Sequence, residues 1–297
     1  MQRLVTSAIA AAVAANSAAD PAYVREIETW RRERVQRLTA DGGWLTVAGL
    51  VWLSPGANKF GADGSNAVVL PAHSAPPRAG TFVLEKGRVR VEVGAGVPVT
   101  LGGKPVTRAE LRSDAGSDAP DVLSLGALTM QIIDRGGRLG VRVKDMKSAA
   151  RASFKGLQYF PIDPRYRVVA TFRPNAKPVT LKVPNVLGMV ESMPSPGMAE
   201  FTIPGLPSDK PLMLHAVLEP GEKQLFFIFR DQTAGKTTYG AGRFLYADPP
   251  VDGKIVLDFN RAYSPPCAFT AYATCPMPME QNKLRVAIEA GEKFAGH

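Results

Sequence analysis

A chain of 297 residues with 45% hydrophobic content is long enough to bury a sizeable core, as one large domain or two smaller ones. Its net charge of +9 comes from lysines and arginines scattered along the sequence, with no basic run that has aromatic residues between its charges. This distribution argues against nucleic acid as a partner. Three histidines and two cysteines in no zinc-like spacing argue against a metal site, and no cofactor is expected.

The N-terminus has the pattern of an export signal. Arg3 supplies a positive charge, residues 4–15 are apolar but too few to span a bilayer, and residues 17–19 are small, as a signal peptidase requires. An alanine-rich helix is the alternative. We predict a signal peptide over 1–19, a periplasmic or secreted location, and no stable membrane insertion after cleavage.

Residues 21–39 are predicted to form an amphipathic helix. Asp20 suits the N-cap position and Pro21 suits the first turn. Apolar residues recur at helical spacing on one face: Tyr23, Ile27, Trp30 and Leu38. The segment that follows, Trp44 to Leu53, has two tryptophans and no charge, and we expect it in the core, with a ligand surface as the alternative.

From about residue 67, short β-branched runs alternate with turn signals. Strands are expected at 67–70, 80–85, 88–93, 122–125, 128–133, 138–144, 166–172, 179–183, 188–192, 199–203, 212–219, 224–229, 238–245, 254–259 and 284–289. Lys86-Gly87 lies where a hairpin turn belongs. The pattern predicts a mainly β fold, an antiparallel β-sandwich or barrel-like architecture with one N-terminal amphipathic helix. We expect a single domain over 20–297, with a possible seam near 148–160.

The familiar catalytic motifs are missing from the sequence. There is no phosphate loop, dinucleotide fingerprint, His-Glu-x-x-His or Gly-x-Ser-x-Gly. His215 is the one plausible base for a catalytic triad. It lies in an apolar run, where a histidine more often has a structural role.

Polar residues are instead concentrated in three segments, the last of which is Phe160-Pro-Ile-Asp163-Pro-Arg165-Tyr166. In the first, Asp231 precedes Tyr239 and Arg243, which are four apart in a stretch expected to be extended and would therefore face the same side. In the second, Asp258 and Asn260 follow a predicted strand. Such groups suit the binding of an anionic or hydroxylated ligand, acid–base chemistry, or a buried structural network.

The second segment continues into a loop, residues 258–276, that carries three prolines and both cysteines. Proline excludes a regular helix or central strand here. In an oxidising compartment Cys267 and Cys275 would form a disulfide, with free thiols, a metal site or a catalytic thiol as alternatives.

The same segments identify a family resemblance. Asp231-x-Thr-x-Gly-x-x-Thr-Tyr-Gly-x-Gly-Arg-Phe-Leu245, the run from Leu257 to Pro276 and the tail from Asn282 to Lys293 resemble the prokaryotic family called domain of unknown function 1684. Trp44 to Leu53 and Phe154-x-Gly-Leu-x-Tyr-Phe-Pro161 fit it as well, so the resemblance runs from about Tyr23 to Lys293. Met277 and Met279 stand where Leu and Pro are expected. The resemblance implies no activity and no catalytic residues.

Three functions are therefore weighed. The first is an exported protein with a small-molecule pocket roofed by the 258–276 loop, for an anionic or hydroxylated ligand. Its ligand-binding candidates are Tyr239, Arg243, Tyr263 and Tyr272. The second is a hydrolase with Asp258 or Asp231 as acid or base, and with Arg243 and Asn260 orienting the substrate. The third is a structural module of the envelope, in which the loop only holds strands together. Whether the chain is an enzyme, and its oligomeric state, stay open.

Overall fold

The structure, a computed structural model, describes residues 19–116 and 119–294. The predicted signal peptide over 1–19 lies outside these residues except for its last position. Helix α1 (Pro21–Thr39) begins and ends as predicted, and Asp20 caps it by accepting the N–H of Ala22 at 3.0 Å. Within the described ranges, no helix is both long enough and apolar enough to cross a membrane.

The chain from 47 to 145 forms a β-sandwich, as the alternating pattern predicted. Its eleven strands are β1 (Val47–Trp52), β2 (Gly56–Gly61), β3 (Val68–Val69), β4 (Gly80–Glu85), β5 (Arg88–Val93), β6 (Thr100–Leu101), β7 (Lys104–Pro105), β8 (Arg108–Leu111), β9 (Val122–Leu125), β10 (Leu128–Arg135) and β11 (Arg138–Asp145). One sheet has the order β3-β2-β4-β5-β8 and the other β1-β11-β10-β9-β6-β7. Both contribute to one core, which includes Phe60 and Phe82 from the first sheet and Met130 and Val141 from the second.

The chain from 149 to 293 forms a second group of sheets. Its elements are α2 (Ala149–Ala152), β12 (Gln158–Tyr159), β13 (Arg167–Pro184), β14 (Val190–Phe201), β15 (Leu212–His215), β16 (Leu225–Phe229), β17 (Arg243–Ala247), β18 (Lys254–Asp258) and β19 (Glu292–Lys293). The sheets have the orders β15-β14-β13-β18, β16-β17 and β12-β19, all antiparallel. Their core is separate and includes Phe227, Leu257 and Ile288. The antiparallel, mainly β fold with one long N-terminal helix is confirmed.

Several strand boundaries differ from those predicted. The runs at 166–172 and 179–183 belong to one strand, β13, because the pairing with β14 shifts between Pro174 and Val179 without ending. Proline lacks the N–H that a regular ladder needs, which accounts for the irregular pairing next to Pro174 and Pro178. The predicted strand at 238–245 begins only at Arg243, and 284–289 forms no strand. The N–H of Ile288 instead donates to a side chain, that of Asp231, at 2.7 Å.

The apolar segment from 44 to 53 is only partly buried. Leu45, Val47 and Leu53 lie in the interior, whereas both tryptophans are partly exposed. Trp52 belongs to β1, which is an edge strand, and Trp44 lies in the short 3-10 turn that precedes it. Each tryptophan ring is covered by an arginine of β11. The guanidinium carbon of Arg142 lies 5.1 Å from the Trp44 ring centre, and a second arginine covers Trp52 in the same way. The expectation that the whole segment lies in the core is therefore corrected.

Candidate functional site

The Asp258–Asn260 end of the loop is a buried hydrogen-bonded network. Asp258 is the last residue of β18 and caps a 3-10 turn by accepting the Asn260 N–H at 3.1 Å. The Tyr23 hydroxyl of helix α1 donates to the Asp258 carboxylate at 2.8 Å. The Asn260 side chain donates to the Asp163 carbonyl at 2.9 Å and accepts the Asp163 N–H at 3.1 Å. Burial raises the pKa of Asp258, while the hydrogen bonds from Tyr23 and Asn260 act in the opposite direction.

Asp231 and Arg243 form a second network. Arg243 Nη2 donates to Asp231 Oδ2 at 2.9 Å, and each side chain is 1% exposed. The guanidinium also donates to the carbonyls of Ile288 and Ala290, and the carboxylate accepts the hydroxyl of Thr233 and the N–H of Ile288. This pair therefore holds the 284–290 segment against β17.

Two predicted relationships are corrected by this geometry. Tyr239 and Arg243 do not lie on one extended segment, because the Gly242 N–H donates to the Tyr239 carbonyl at 3.1 Å and closes a turn between them. In the part of the chain that the structure describes, the Asp231 network and the Asp258 network share no hydrogen-bonding partner.

The three predicted tyrosines lie in different surroundings. Tyr239 donates its hydroxyl to the Cys267 carbonyl at 3.0 Å. The Tyr263 ring lies under the guanidinium of Arg34, with 4.6 Å from the guanidinium carbon to the ring centre. Tyr272 is 41% exposed and points away from the core. The three do not form a single binding surface.

A cavity of about 730 Å³ lies beside the loop. It is lined by Leu45, Ala150 and residues 153–158, 267–271 and 292–294. One wall is thus the middle of the predicted 258–276 loop. None of the acidic or basic residues predicted as catalytic lines this cavity.

The cavity has aromatic walls, two amines and one buried carboxylate. Phe154 and Phe294 lie on opposite chain segments, and Lys155 and Lys293 supply positive charge. Glu292 is 1% exposed. The lining residues at 153–158 and 292–294 were not predicted as site residues. The only signal for them was that both segments carry motifs of the family resemblance.

An arginine of helix α1 neutralises the buried carboxylate. Arg34 Nε lies 3.3 Å from Glu292 Oε2, and its Nη2 donates to the Ser264 carbonyl at 2.9 Å. The guanidinium carbon also lies 5.5 Å from the ring centre of Phe269, a cavity residue. Burial raises the pKa of Glu292, and Arg34 opposes that shift.

The two cysteines are free thiols in the structure, which differs from the predicted disulfide. The Cys267 N–H donates to the Cys275 sulfur at 3.1 Å, so the sulfur of Cys275 is occupied as a hydrogen-bond acceptor. Cys267 is half-buried and lines the cavity, whereas Cys275 is 4% exposed. The hydrogen bond between the two thiols lowers the pKa of Cys267 and raises that of Cys275.

Among the described residues, no three His, Cys, Asp or Glu side chains are grouped as a metal site.

Comparison with solved structures finds weak structural likenesses. The FHA-2 domain of a Mycobacterium tuberculosis ABC transporter is 24% identical over 30% of this chain and 77% of its own, with a TM-score of 0.23. The FhaA FHA domain, solved with the intracellular domain of Rv3910, is 16% identical over 32% of this chain and 97% of its own, also with a TM-score of 0.23. At these scores the likeness carries no conclusion about this chain. No curated protein matches it.

Sequence similarity is more informative. An uncharacterized protein of Haloarcula marismortui, solved by NMR, is 35% identical over 48% of this chain and 78% of its own, with a TM-score of 0.40. The family described as "Protein of unknown function (DUF1684)" matches residues 152–293. That match starts later than the Tyr23 expected from the motifs and contains the loop, both cysteines and most of the cavity lining. The chain therefore belongs to the DUF1684 family, as its C-terminal motifs predicted.

Proposed function

We propose that this chain binds a small anionic molecule with an apolar body in the cavity beside residues 267–271. The observation that carries this proposal is the cavity itself, about 730 Å³, with aromatic walls and two lysines in its lining. Pockets for small molecules commonly have volumes of about 300–1,000 Å³ and mostly apolar walls with a few polar groups. The cavity has that size and composition.

The charge of the lining favours an anion. Glu292 is the one acidic residue that lines the cavity, and Arg34 neutralises it at 3.3 Å. The net positive charge of the cavity lining then comes from Lys155 and Lys293. The aromatic rings of Phe154 and Phe294 provide contact area for an apolar ligand body. A carboxylate on an aliphatic or aromatic group matches this distribution of charge and apolar surface.

The surroundings of the two predicted acid–base residues favour a structural role over hydrolysis. Asp231 and Asp258 are buried, accept several hydrogen bonds each, and do not line the cavity. A general acid or base must lie within reach of its substrate. We therefore propose that these carboxylates hold the loop and the 284–290 segment in place, and that they take no part in chemistry.

We also propose that the mature protein is exported, on the basis of Arg3 and the apolar run at 4–15. N-terminal sequencing of the protein purified from an extracytoplasmic fraction tests this. A chain that keeps Met1 and fractionates with the cytoplasm would contradict it.

Ligand binding is tested with defined probes. A series of carboxylates, such as benzoate, hexanoate and octanoate, is added to the purified protein, and binding is measured by calorimetry and by the shift of the melting temperature. The matched primary amides are the uncharged controls. We expect the carboxylates to bind and the amides to bind about tenfold more weakly, because they lack the charge that two lysines attract. Equal binding of acids and amides would contradict the anionic specificity.

Two neighbouring alanines of helix α2 provide a matched pair of variants. Both are exposed to solvent, but Ala150 lines the cavity and Ala152 does not. Ala150→Trp is expected to abolish carboxylate binding by filling the cavity, and Ala152→Trp to leave it unchanged. Lys293→Gln is expected to weaken binding about three- to tenfold, with the exposed Lys147→Gln as its control. Unchanged binding in Ala150→Trp would show that the probes do not occupy this cavity.

A further inference from the structure

The strongest observation outside ligand binding is the pair of thiols. Cys267 lies at the cavity wall, and the buried Cys275 lies behind it with its sulfur 3.1 Å from the Cys267 backbone nitrogen. Cys267 thus borders the cavity, whereas Cys275 is almost completely removed from solvent.

A buried arginine without a carboxylate counter-ion interacts electrostatically with Cys275. Arg142 is 5% exposed, and its Nε and Nη2 have no hydrogen-bond partner. No described carboxylate pairs with it, and the nearby Asp114 is held on both oxygens by Arg135, at 2.9 and 3.0 Å. Burial lowers the pKa of Arg142 to about 10, and the charge of Cys275 acts to raise it.

An unpaired buried cation is unfavourable and is relieved by a nearby negative charge. Asp114 is near Arg142 but is already paired with Arg135, so a thiolate at Cys275 is a further negative charge that can offset Arg142. Arg142 acts to lower the pKa of Cys275, against the hydrogen bond with Cys267 and the burial that raise it. A thiolate near a cation and open to a cavity is the environment of a reactive cysteine.

We infer that Cys267 and Cys275 form a redox-active dithiol, in which Cys267 is the attacking thiolate, Cys275 is the resolving thiol and Arg142 stabilises the charge. The co-substrate is a low-molecular-weight disulfide that enters the cavity. The Cys267 thiolate attacks one sulfur of this disulfide, forms a mixed disulfide and expels one thiolate. The Cys275 thiol then loses its proton to solvent and attacks the Cys267 sulfur, expelling the second thiolate.

The electron balance of this sequence is closed. The protein dithiol is oxidised by two electrons to the Cys267–Cys275 disulfide, and the small disulfide is reduced to two thiols after the expelled thiolates take up protons. The reverse reaction, with excess small thiol, restores the dithiol. The disulfide expected from the sequence is then one of two states of the same pair.

Other charged and titratable groups face the pair and contribute to its pH dependence. Tyr239 bonds to the Cys267 carbonyl, and Arg135 bonds to the hydroxyl of Thr274, the residue before Cys275. Across the cavity lie Glu292, Lys155 and Lys293. Arg142 is distinct among them because it is buried and lacks a carboxylate partner.

The test uses the reduced protein and bis(2-hydroxyethyl) disulfide, followed by intact mass spectrometry. Wild type is expected to lose two hydrogens and to return to its original mass with dithiothreitol. Cys275→Ser is expected to accumulate one mixed disulfide, located at Cys267 by peptide mapping. Cys267→Ser is expected to react at least about 100-fold more slowly, because its remaining thiol is buried. A wild type that stops at the mixed disulfide, or a Cys267→Ser variant as fast as wild type, would overturn the inference.

The role of Arg142 has its own readout. The rate of Cys267 alkylation by iodoacetamide is measured against pH, and its midpoint reports the thiol pKa. In Arg142→Gln the midpoint is expected to move upward and the rate at neutral pH to fall about tenfold, whereas Arg138→Gln leaves both unchanged. Arg138 is on the same strand and also covers a tryptophan. A midpoint that does not move in a folded Arg142→Gln variant removes Arg142 from the mechanism.

This inference does not depend on the proposed ligand. The variant with both cysteines replaced by serine is expected to retain carboxylate binding, since charge and cavity shape remain. If that variant and wild type bind no carboxylate, the proposed function is wrong, and the thiol exchange is judged by mass spectrometry alone.

Discussion

Arg243 donates to the carboxylate of Asp231 at 2.9 Å, and both side chains are 1% exposed. The pair is held by backbone groups as well, since the carboxylate accepts the Ile288 N–H at 2.7 Å and the guanidinium donates to the Ile288 carbonyl at 2.9 Å. A charged pair so fully removed from water is stable only while both partners are present. The pair adds to two backbone hydrogen bonds of the 284–290 segment, from the Leu284 N–H to the Arg230 carbonyl at 2.7 Å and from the Gln232 N–H to the Val286 carbonyl at 3.0 Å. Together these bonds explain how a segment outside the regular strands is held in place.

Asp231→Asn is therefore expected to be strongly destabilising. The variant keeps the shape of the side chain but leaves the Arg243 charge unneutralised, which costs about 3–5 kcal/mol of the free energy of unfolding. The exposed pair of Glu33 and Arg37 is the control, and Glu33→Gln is expected to cost less than about 1 kcal/mol. Urea unfolding of both variants measures the difference. Similar costs for the two substitutions would contradict the structural role of Asp231.

The hydroxyl of Tyr23 connects helix α1 to the loop. Tyr23→Phe removes its bonds to both Asp258 oxygens, at 2.8 and 3.0 Å, and to Asn260. A buried acceptor left unsatisfied costs about 1–3 kcal/mol, so we expect a loss of that size in the free energy of unfolding. The exposed Tyr272→Phe is the control and is expected to change stability by less than about 0.5 kcal/mol. If limited proteolysis cleaves α1 equally in both variants, the hydroxyl does not anchor the helix.

Helix α1 and the hairpin at 80–93 were predictable from sequence because their signals are local. Asp20, Pro21 and the apolar spacing fix the helix, and Lys86 and Gly87 both adopt the positive φ angles that a tight hairpin turn requires. The 284–290 segment was not predictable in this way. It has the residue pattern of a strand, yet its backbone groups bond to the side chains of Asp231 and Arg243, far away in the sequence.

The residues of the candidate site likewise fall into two groups, those that the local sequence indicates and those that only the tertiary fold brings together. The proline-rich loop could be recognised as non-repetitive and polar, and its residues 267–271 do line the cavity. The groups opposite, Phe154, Lys155 and Lys293, come from segments with no periodic pattern, so only the tertiary fold identifies them. Asp258 looked available for chemistry because Asn260 follows it at the end of a predicted strand, whereas its actual partner Tyr23 is 235 residues away.

Glu292 makes the stability of the protein depend on pH. Burial raises its pKa in the folded state above the unfolded value of about 4.3. The folded state thus binds the proton more tightly. Glu292 therefore contributes stability that is fully present at pH values below its pKa in the unfolded state. That stability is lost as the pH rises through its pKa in the folded state. The stability of wild type minus that of Glu292→Gln is therefore expected to fall as pH rises from 4 toward neutrality.

Glu280 serves as the control of opposite sign. Its side chain is 84% exposed, and the hydrogen bond from Lys283 lowers its pKa. The difference between wild type and Glu280→Gln is therefore expected to rise slightly with pH. Urea unfolding at several pH values measures both differences. A wild-type minus Glu292→Gln difference that stays flat or increases would mean that burial does not control the protonation of Glu292.

Gly291, next to Glu292 at the cavity, has a backbone that tolerates no side chain. Its φ is +79°, and an added Cβ would lie 2.3 Å from the Ala262 carbonyl oxygen. Gly253 has a similar φ of +70° with open space around it. Gly253→Ala therefore bears only the backbone strain, about 1–2 kcal/mol, whereas Gly291→Ala adds a clash with fixed backbone and is expected to cost about 3 kcal/mol or more. Because the clash displaces Glu292 and Lys293, we expect Gly291→Ala also to weaken carboxylate binding, with Gly253→Ala binding as wild type does. Equal unfolding midpoints for the two variants would show that the segment before β19 can shift without cost, and the cavity wall would then be less rigid than its contacts imply.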